Sequence, residues 1–475
     1  MATVGTTQWS SKFAFIMAAV GSSVGLGNLW RFSAEAGANG GGAFIIIYLA
    51  CVLFIGIPVL MSEYIIGRAG NANSAIRSVK DIAERSNVTT NWGILGWTGM
   101  IGSFLIVSFY CVVAGWVMIY IPKFLFGAFD GQTSEQISAQ FDQTIGNPMG
   151  VIPYFTAFAI LTTYLVARGV NEGIELASKI LMPLFFALLI LLSLYSLYSG
   201  INTPVTLKNG ETSNGTFQAL SFLFKPDWGA LNAGVVTAAL GQAFFSIGLG
   251  SAIMITYGSY LPRSINIPKS AFIVGITDTA VAMIAGLAIF PIVFSHGLHP
   301  NAGAGLFFNT LPIALHNAPG GVFIGAGFFF LAIFAAVTSS ISLLEPITAW
   351  VSERFDMSKA KAAIIMGSLM WLLGFGSIYS LAFMDVIDHK LTAAIMLPLT
   401  GMLTVLFVGW KMKKTLVDEE MAGISQGIKN LLLFLVRFVA PISVLAVLII
   451  GIDHNWFDDT LGKAMGFVKE VAPTQ

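Results

Sequence analysis

The sequence predicts an all-α polytopic membrane protein with eleven spans, and three observations lead there. Charge is scarce: 24 Lys+Arg and 24 Asp+Glu make up 10% of 475 residues, where a soluble domain carries about 25%. Hydrophobic residues supply 56% of the chain and mean hydropathy is +0.81. A soluble chain cannot hide that much apolar surface, so lipid must face it. Apolar runs of about 20 residues, enough to cross a hydrocarbon core at roughly 1.5 Å per residue, recur eleven times. They lack the two-residue alternation of barrel strands. The charges cancel to zero, which leaves no basic footprint for nucleic acid. Cys51 and Cys111 sit singly in apolar runs, with no CxxC or His/Cys cluster beside them, and read as free buried thiols.

In chain order the runs are 13–37, 41–67, 92–126, 150–168, 173–199, 233–261, 268–295, 321–351, 362–384, 391–412 and 430–452. The first carries Asn28 and Arg31 and no small-residue cleavage site, so it does not read as a removable signal. With the N-terminus inside, sixteen of the Lys and Arg residues fall in inner loops and seven in outer ones, while Arg437 lies inside the last span. Eleven spans then place the C-terminal tail outside. Residues 71–90 read as a mixed-charge cytoplasmic loop and 200–230 as a solvated outer loop. The outer segment 297–320 holds a short apolar piece between Pro300 and Pro319, suited to a re-entrant or capping hairpin. Residues 453–475 read as an amphipathic or disordered tail.

Two spans differ from ordinary lipid-solvated helices. The first contains Gly21-Ser22-Ser23-Val24-Gly25-Leu26-Gly27-Asn28 and the sixth Ser246-Ile247-Gly248-Leu249-Gly250-Ser251. Each glycine weakens a helix by about 1 kcal/mol relative to Ala, so clusters at mid-depth invite unwinding. Unwound backbone in a bilayer must be buried in protein or line a polar cavity. It offers carbonyls to a cation and amides to a carboxylate. Broken spans at matching places in two five-helix halves, 1–5 and 6–10, point to the site of a secondary transporter. Polar residues at depth are few: Asp278 in the seventh span, Thr338-Ser339-Ser340 in the eighth, Gln242 ahead of the second break, and Glu63 low in the second span. Hydroxyls, amides and one carboxylate without thiols or paired histidines suit Na⁺ better than a transition metal.

Gly21–Phe32, then Asn39-Gly-Gly-Gly-Ala-Phe44, Gly56-Ile-Pro58, Gly67-Arg68, Arg168-Gly169, Gly173-Ile-Glu175, Met182-Pro183, Gly241–Ser246, Ile255–Tyr260 and Thr338-Ser-Ser340 resemble the neurotransmitter:sodium symporter family, over nearly the whole of 9–452. Eleven spans is similar to bacterial members. The resemblance implies a leucine-transporter-type 5+5 inverted repeat with helices 1 and 6 broken. Repeat one would cover about 9–200 and repeat two about 230–412, followed by an extra helix at 430–452 and the tail, all in a single transporter domain. It also implies two sodium sites and no organic cofactor. One site would use the carbonyls of Gly21, Val24 and Ala335 with the hydroxyls of Thr338 and Ser339. The other would use the Ser23 carbonyl, Asn28, Ser246 and Asp278 with the substrate's own carboxylate. Sharing that carboxylate would couple ion and substrate reciprocally.

For the substrate, the resemblance implies a neutral amino acid. Gly25 stands where monoamine carriers have Asp, Tyr110 matches a carboxylate-binding tyrosine, and carbonyls near Ser23, Phe245 and Ser246 would meet the ammonium. Ser22, Ile106, Gly248, Ser251, Ser339 and Leu343 complete the pocket. Gly248 and Ser251 are small where the leucine-carrying relative has Ser and Phe, which favours bulky apolar or aromatic side chains. Chloride-dependent relatives use Tyr, Gln and Ser ligands, matched in part by Tyr48 and Gln242. Asp278 would supply that negative charge itself, so transport is expected to be chloride-independent, with protonation of Asp278 a secondary possibility.

Gates are expected on both sides. Outside, Arg31 would pair with Asp388 (or, less well, Asp385), with Phe245 and Tyr110 as an aromatic lid. Inside, Thr6 stands where relatives carry a base that pairs with the acid matched by Glu353. Either Lys12 substitutes or the latch is weak. Gly173 and Pro183 match a spacing linked to inner unwinding of span five, and Glu63 and Glu175 are expected to hold cytoplasmic helix ends together. The reading is a sodium-coupled, non-enzymatic importer in a bacterial plasma membrane. The alternatives are a carrier of another zwitterion or osmolyte, or a sensor that kept the fold.

Overall fold

The computed structural model describes residues 8–70, 72–206, 212–298, 300, 306–457 and 460. Thr6 and residues 461–475 of the tail lie outside them. Ser11 caps the first helix by accepting from Ala14 N, and α1 (Lys12–Ser23) is followed after a 52° bend by α2 (Gly27–Ala38). Then come α3 (Gly42–Ala69), α4 (Ala75–Arg85), α5 (Thr90–Leu125), α6 (Ser134–Ile145), α7 (Pro148–Ala167) and α8 (Val170–Asn202). A hairpin of β1 (Pro204–Thr206) and β2 (Thr212–Asn214), with Pro204 opposite Asn214, leads into α9 (Gly215–Phe224). The rest comprises α10 (Ala233–Ile247), α11 (Ile253–Ser259), α12 (Ile267–Ser295), α13 (Leu311–Asn317), α14 (Gly321–Arg354), α15 (Lys359–Tyr379), α16 (Leu381–Lys411), α17 (Lys414–Glu420) and α18 (Gln426–Trp456).

Among the described residues nine helices are long and apolar enough to cross a membrane, or ten with α1 and α2 taken as one span. The remaining run of the sequence, the sixth, 233–261, is divided between α10 and α11, neither of which is long enough alone. Glycine determines how closely the central helices approach. A Cβ on Gly99 of α5 would lie 2.9 Å from the Ala252 nitrogen, and one on Gly67 of α3 would lie 2.1 Å from the Ile255 carbonyl oxygen. The second broken span is therefore seated closely against α3 and α5.

One loop is more structured than expected and another takes a capping place like the one expected. The 200–230 loop contains the hairpin and α9, which packs against α8 and α12. Gly215 permits this, since a Cβ there would lie 2.5 Å from the Pro291 carbonyl oxygen. The apolar piece of 297–320 forms a buried helical segment from Leu306 to Asn317. Phe308 of this segment stacks on Phe141 of α6 at 4.6 Å and meets Trp30 at 6.0 Å, so it caps α2.

Candidate functional site

Both breaks lie in the same polar centre. At the first, Val24 leaves the helix with φ −76° and ψ 102°. The Asn28 side chain then folds back, its Oδ1 accepting from Gly25 N at 3.0 Å. Its Nδ2 donates across to Ser246 Oγ (3.1 Å) and to Asp278 Oδ1 (2.8 Å), and Ser246 Oγ donates to Asp278 Oδ2 at 2.7 Å. Asn28, Ser246 and Asp278 are all buried. Three of the expected first-site residues thus form one hydrogen-bonded cluster joining spans one, six and seven. Ser23 joins span six by donating from Oγ to the Ile247 carbonyl at 3.2 Å. Tyr48 Oη and both polar atoms of Gln242 are buried without a hydrogen-bond partner among the described residues.

The second expected set converges on α14. Ser339 Oγ lies 3.5 Å from the Gly21 carbonyl oxygen, 3.4 Å from that of Ser22 and 3.5 Å from that of Val24. Thr338 Oγ1 lies 3.1 Å from the Ala335 carbonyl oxygen. One hydroxyl has a single proton for three carbonyls, so lone pairs outnumber donors, a set chemically fit for a small hard cation.

Between the two sets sits Gly25. A Cβ there would lie 2.6 Å from Ser339 Oγ and 3.2 Å from Tyr110 Oη. Tyr110 Oη accepts from Leu26 N at 3.4 Å, which leaves its own hydrogen for an incoming acceptor. Ile106 on α5 and Leu343 on α14 are buried. Ser251 Oγ donates to the Gly248 carbonyl at 2.5 Å, closing the second break on itself.

Several partners differ from those expected. Glu63 does not tie helix ends: its Oε1 accepts from Gly250 N at 2.7 Å and so holds the second break, where an unwound amide needs an acceptor. Ser103, which sequence reasoning missed, donates to the Ser251 carbonyl in the same turn. Arg31 lies 3.8 Å from Glu35, and no ion pair within 4.0 Å joins it to Asp388, whose nearer partner is His389 at 3.9 Å. Glu35 stands four residues along the same helix, a spacing that keeps the pair adjacent. The Arg31 guanidinium covers the Phe245 ring at 4.3 Å. Among the described residues no ring contact joins Phe245 to Tyr110.

At the place expected for the inner latch, Glu353 pairs with Arg77 of α4 at 3.0 Å and accepts from Ser74 Oγ at 2.5 Å. Neither Lys12 nor the segment from Gln8 to Ser11 takes that place. Glu175 accepts from Ser10 N at 3.0 Å and from Lys179 Nζ at 2.6 Å, fastening the N-terminal segment to span five. Around Gly173 the chain is wound as a π-helical turn, Val170–Glu175, and Pro183 sits inside the following helix.

Comparison with known proteins agrees with this geometry. The profile of the sodium:neurotransmitter symporter family matches residues 6–133 and 135–458. The uncharacterized sodium-dependent transporter YhdH of Bacillus subtilis is 37% identical over 93% of this chain and 96% of its own. An uncharacterized sodium-dependent transporter of Haemophilus influenzae is 33% identical over 93% and 97%. The crystal structure of MhsT in complex with L-phenylalanine superposes with a TM-score of 0.83 at 39% identity, covering 94% of this chain and 100% of that one. These relatives are sodium-dependent membrane transporters and not enzymes, and the fold, broken first helix included, is theirs. The chain belongs to the sodium:neurotransmitter symporter family.

Proposed function

We propose that this sodium-dependent transporter imports neutral amino acids with bulky apolar or aromatic side chains, by alternating access and without chloride. The observation that carries the reading is the likeness, over 94% of the chain, to a structure solved with L-phenylalanine. Gly25 supports it: with Ser339 Oγ and Tyr110 Oη so close to where a Cβ would stand, no acidic side chain fits there to meet an amine. The substrate's carboxylate takes that side instead, receiving the Tyr110 hydroxyl proton. One Na⁺ shares the carboxylate with the Ser23 carbonyl, Asn28, Ser246 and Asp278. A second is held by Gly21, Val24, Ala335, Thr338 and Ser339. Because one ligand of the first ion is the substrate, each raises the other's affinity by the same factor.

Asp278 bears on chloride. The Tyr48 hydroxyl and Gln242 amide could meet an anion, but the Asp278 carboxylate already places negative charge beside Tyr48. The positive-inside bias puts the N-terminus in the cytoplasm of a bacterial cell and the C-terminus outside. The domain reading of two inverted repeats, about 9–200 and 230–412, goes with this mechanism.

A thermal-shift screen of the twenty amino acids with and without Na⁺ tests the reading. Phenylalanine, tryptophan, leucine or tyrosine should raise the melting temperature only when Na⁺ is present. A shift without Na⁺, or one confined to glycine or betaine-like compounds, sinks it. Sodium-driven uptake should persist when gluconate replaces chloride, and its abolition would remove the chloride-independent part.

A further inference from the structure

Arg437 is the one charged residue between Lys429 and Asp453. The helix that carries it, α18, presents most of its surface outward, with 22% of its apolar window buried in the protein. An arginine on such a helix is costly unless it reaches the interface or a partner. The structure fixes its place. Arg437 Nε donates to the Gly409 carbonyl at 2.9 Å, and Trp410 Nε1 donates to the Arg437 carbonyl at 3.1 Å. Gly409 admits the aliphatic stem, since a Cβ there would lie 3.1 Å from Arg437 Cγ. Arg437 is thus level with the last turn of α16, where Lys411 and Lys413 emerge exposed. Trp410 is 56% exposed and edges onto Phe438 at 5.5 Å, an aromatic anchor of the sort found at the lipid–water boundary.

The guanidinium uses one nitrogen internally. No acid among the described residues lies within 4.0 Å of the others. On neighbouring α17, Asp418 is taken by Lys429 at 2.6 Å, and Glu420 by Arg68 at 2.5 Å and by Arg263. Glu419 remains, against Lys411, Lys413 and Lys414.

We propose that Arg437, with Lys411 and Lys413, binds the headgroup phosphate of an anionic phospholipid at the junction of α16 and α18, its acyl chains lying along α18. The two remaining guanidinium nitrogens offer the paired donors that match phosphate oxygens. The lysines add charge at the level of the anionic surface, and the exposed rings of Trp410 and Phe438 flank the junction. The site needs neither amino acid nor sodium, so it stands apart from the transport reading.

The test is retention of lipid by the full-length protein, purified in detergent with equal phosphatidylglycerol and phosphatidylcholine and read by native mass spectrometry. The wild type should retain phosphatidylglycerol over phosphatidylcholine by roughly fivefold or more, the preference that one cation near an anionic surface supports. Arg437→Gln should bring the ratio close to one, Arg437→Lys should keep part of it, and the triple change of Lys411, Lys413 and Lys414 to Gln should lower it less. Millimolar glycerol phosphate should not displace the lipid. If Arg437→Gln does not fold, the Lys variants and the competition decide the matter. Equal retention of both lipids, an unchanged ratio in the Arg437 variants, or full displacement by glycerol phosphate would overturn the proposal. So would a change in subunit number with no change in lipid, which would make this face a contact between copies.

Discussion

Span one turns through Val24 with an extended backbone, and no residue from 21 to 31 has positive φ. Span six turns through three left-handed residues, Gly248 at +72°, Gly250 at +77° and Ala252 at +58°. The first break is held by side chains that reach it: Asn28 on Gly25 N, Tyr110 on Leu26 N, and Ser339 beside three carbonyls. The second is held by backbone sterics and a buried acid: Gly250 is pressed against the Leu397 carbonyl, and Glu63 accepts its N–H. One break is thus a polar turn held by side-chain contacts. The other is a sterically enforced turn with little freedom to rewind, because a left-handed non-glycine residue costs about 1–2 kcal/mol and is tolerated only where its surroundings over-determine it.

The largest effect should come from the enforced turn. A Cβ on Gly250 would lie 2.1 Å from the Leu397 carbonyl oxygen at a φ of +77°, so Gly250→Ala should lose more than about 4 kcal/mol and give no monodisperse protein on size exclusion. Gly25→Ala is the counterpart. Its clash is with two side-chain oxygens, so the protein should fold with a near wild-type melting temperature while the Na⁺-dependent substrate shift disappears. If Gly25→Ala also fails to fold, the two breaks are not different in kind.

Glu63→Ala comes next: it leaves Gly250 N buried and unpaired and should cost about 1–3 kcal/mol by thermal unfolding. Glu63→Gln keeps an acceptor oxygen and should cost under about 1 kcal/mol. Equal losses would mean that the negative charge holds the turn and not the hydrogen bond. Smallest in stability is Tyr110→Phe. The bond it removes is long, 3.4 Å, so unfolding should shift by less than about 1 kcal/mol, whereas the amino-acid concentration giving half the thermal shift should rise about tenfold. A stability loss as large as that of Glu63→Ala would make Tyr110 a prop of the first break and not a reader of substrate.

The glycine clusters announced both breaks, the scarcity of charge at depth singled out Asp278, and the family resemblance supplied Asn28; the structure hydrogen-bonds these two to each other and to Ser246. A polar group surrounded by lipid-length apolar runs has few reasons to be there, which makes it readable. The partner of Glu63 was not readable, because Gly250 lies 187 positions away and a backbone N–H leaves no mark in sequence. The pairing of Arg31 with Glu35 obeys a four-residue spacing visible in the chain, but nothing local ranks it against Asp388. Nor did the absence of a base before Trp9 reveal that Arg77, from a different loop, would engage Glu353.

Composition and run length alone determined that this chain crosses a membrane many times, because the cost of exposing so much apolar surface to water does not depend on arrangement. Glycine spacing determined where two helices weaken, since that penalty is local. Which breaks are soft and which are rigid, which acid meets which base, and whether 233–261 is one span or two pieces were decided by the tertiary structure. Those outcomes depend on approaches so close that a Cβ in place of glycine would clash with a helix far away in sequence, and such contacts are made only when the whole bundle closes.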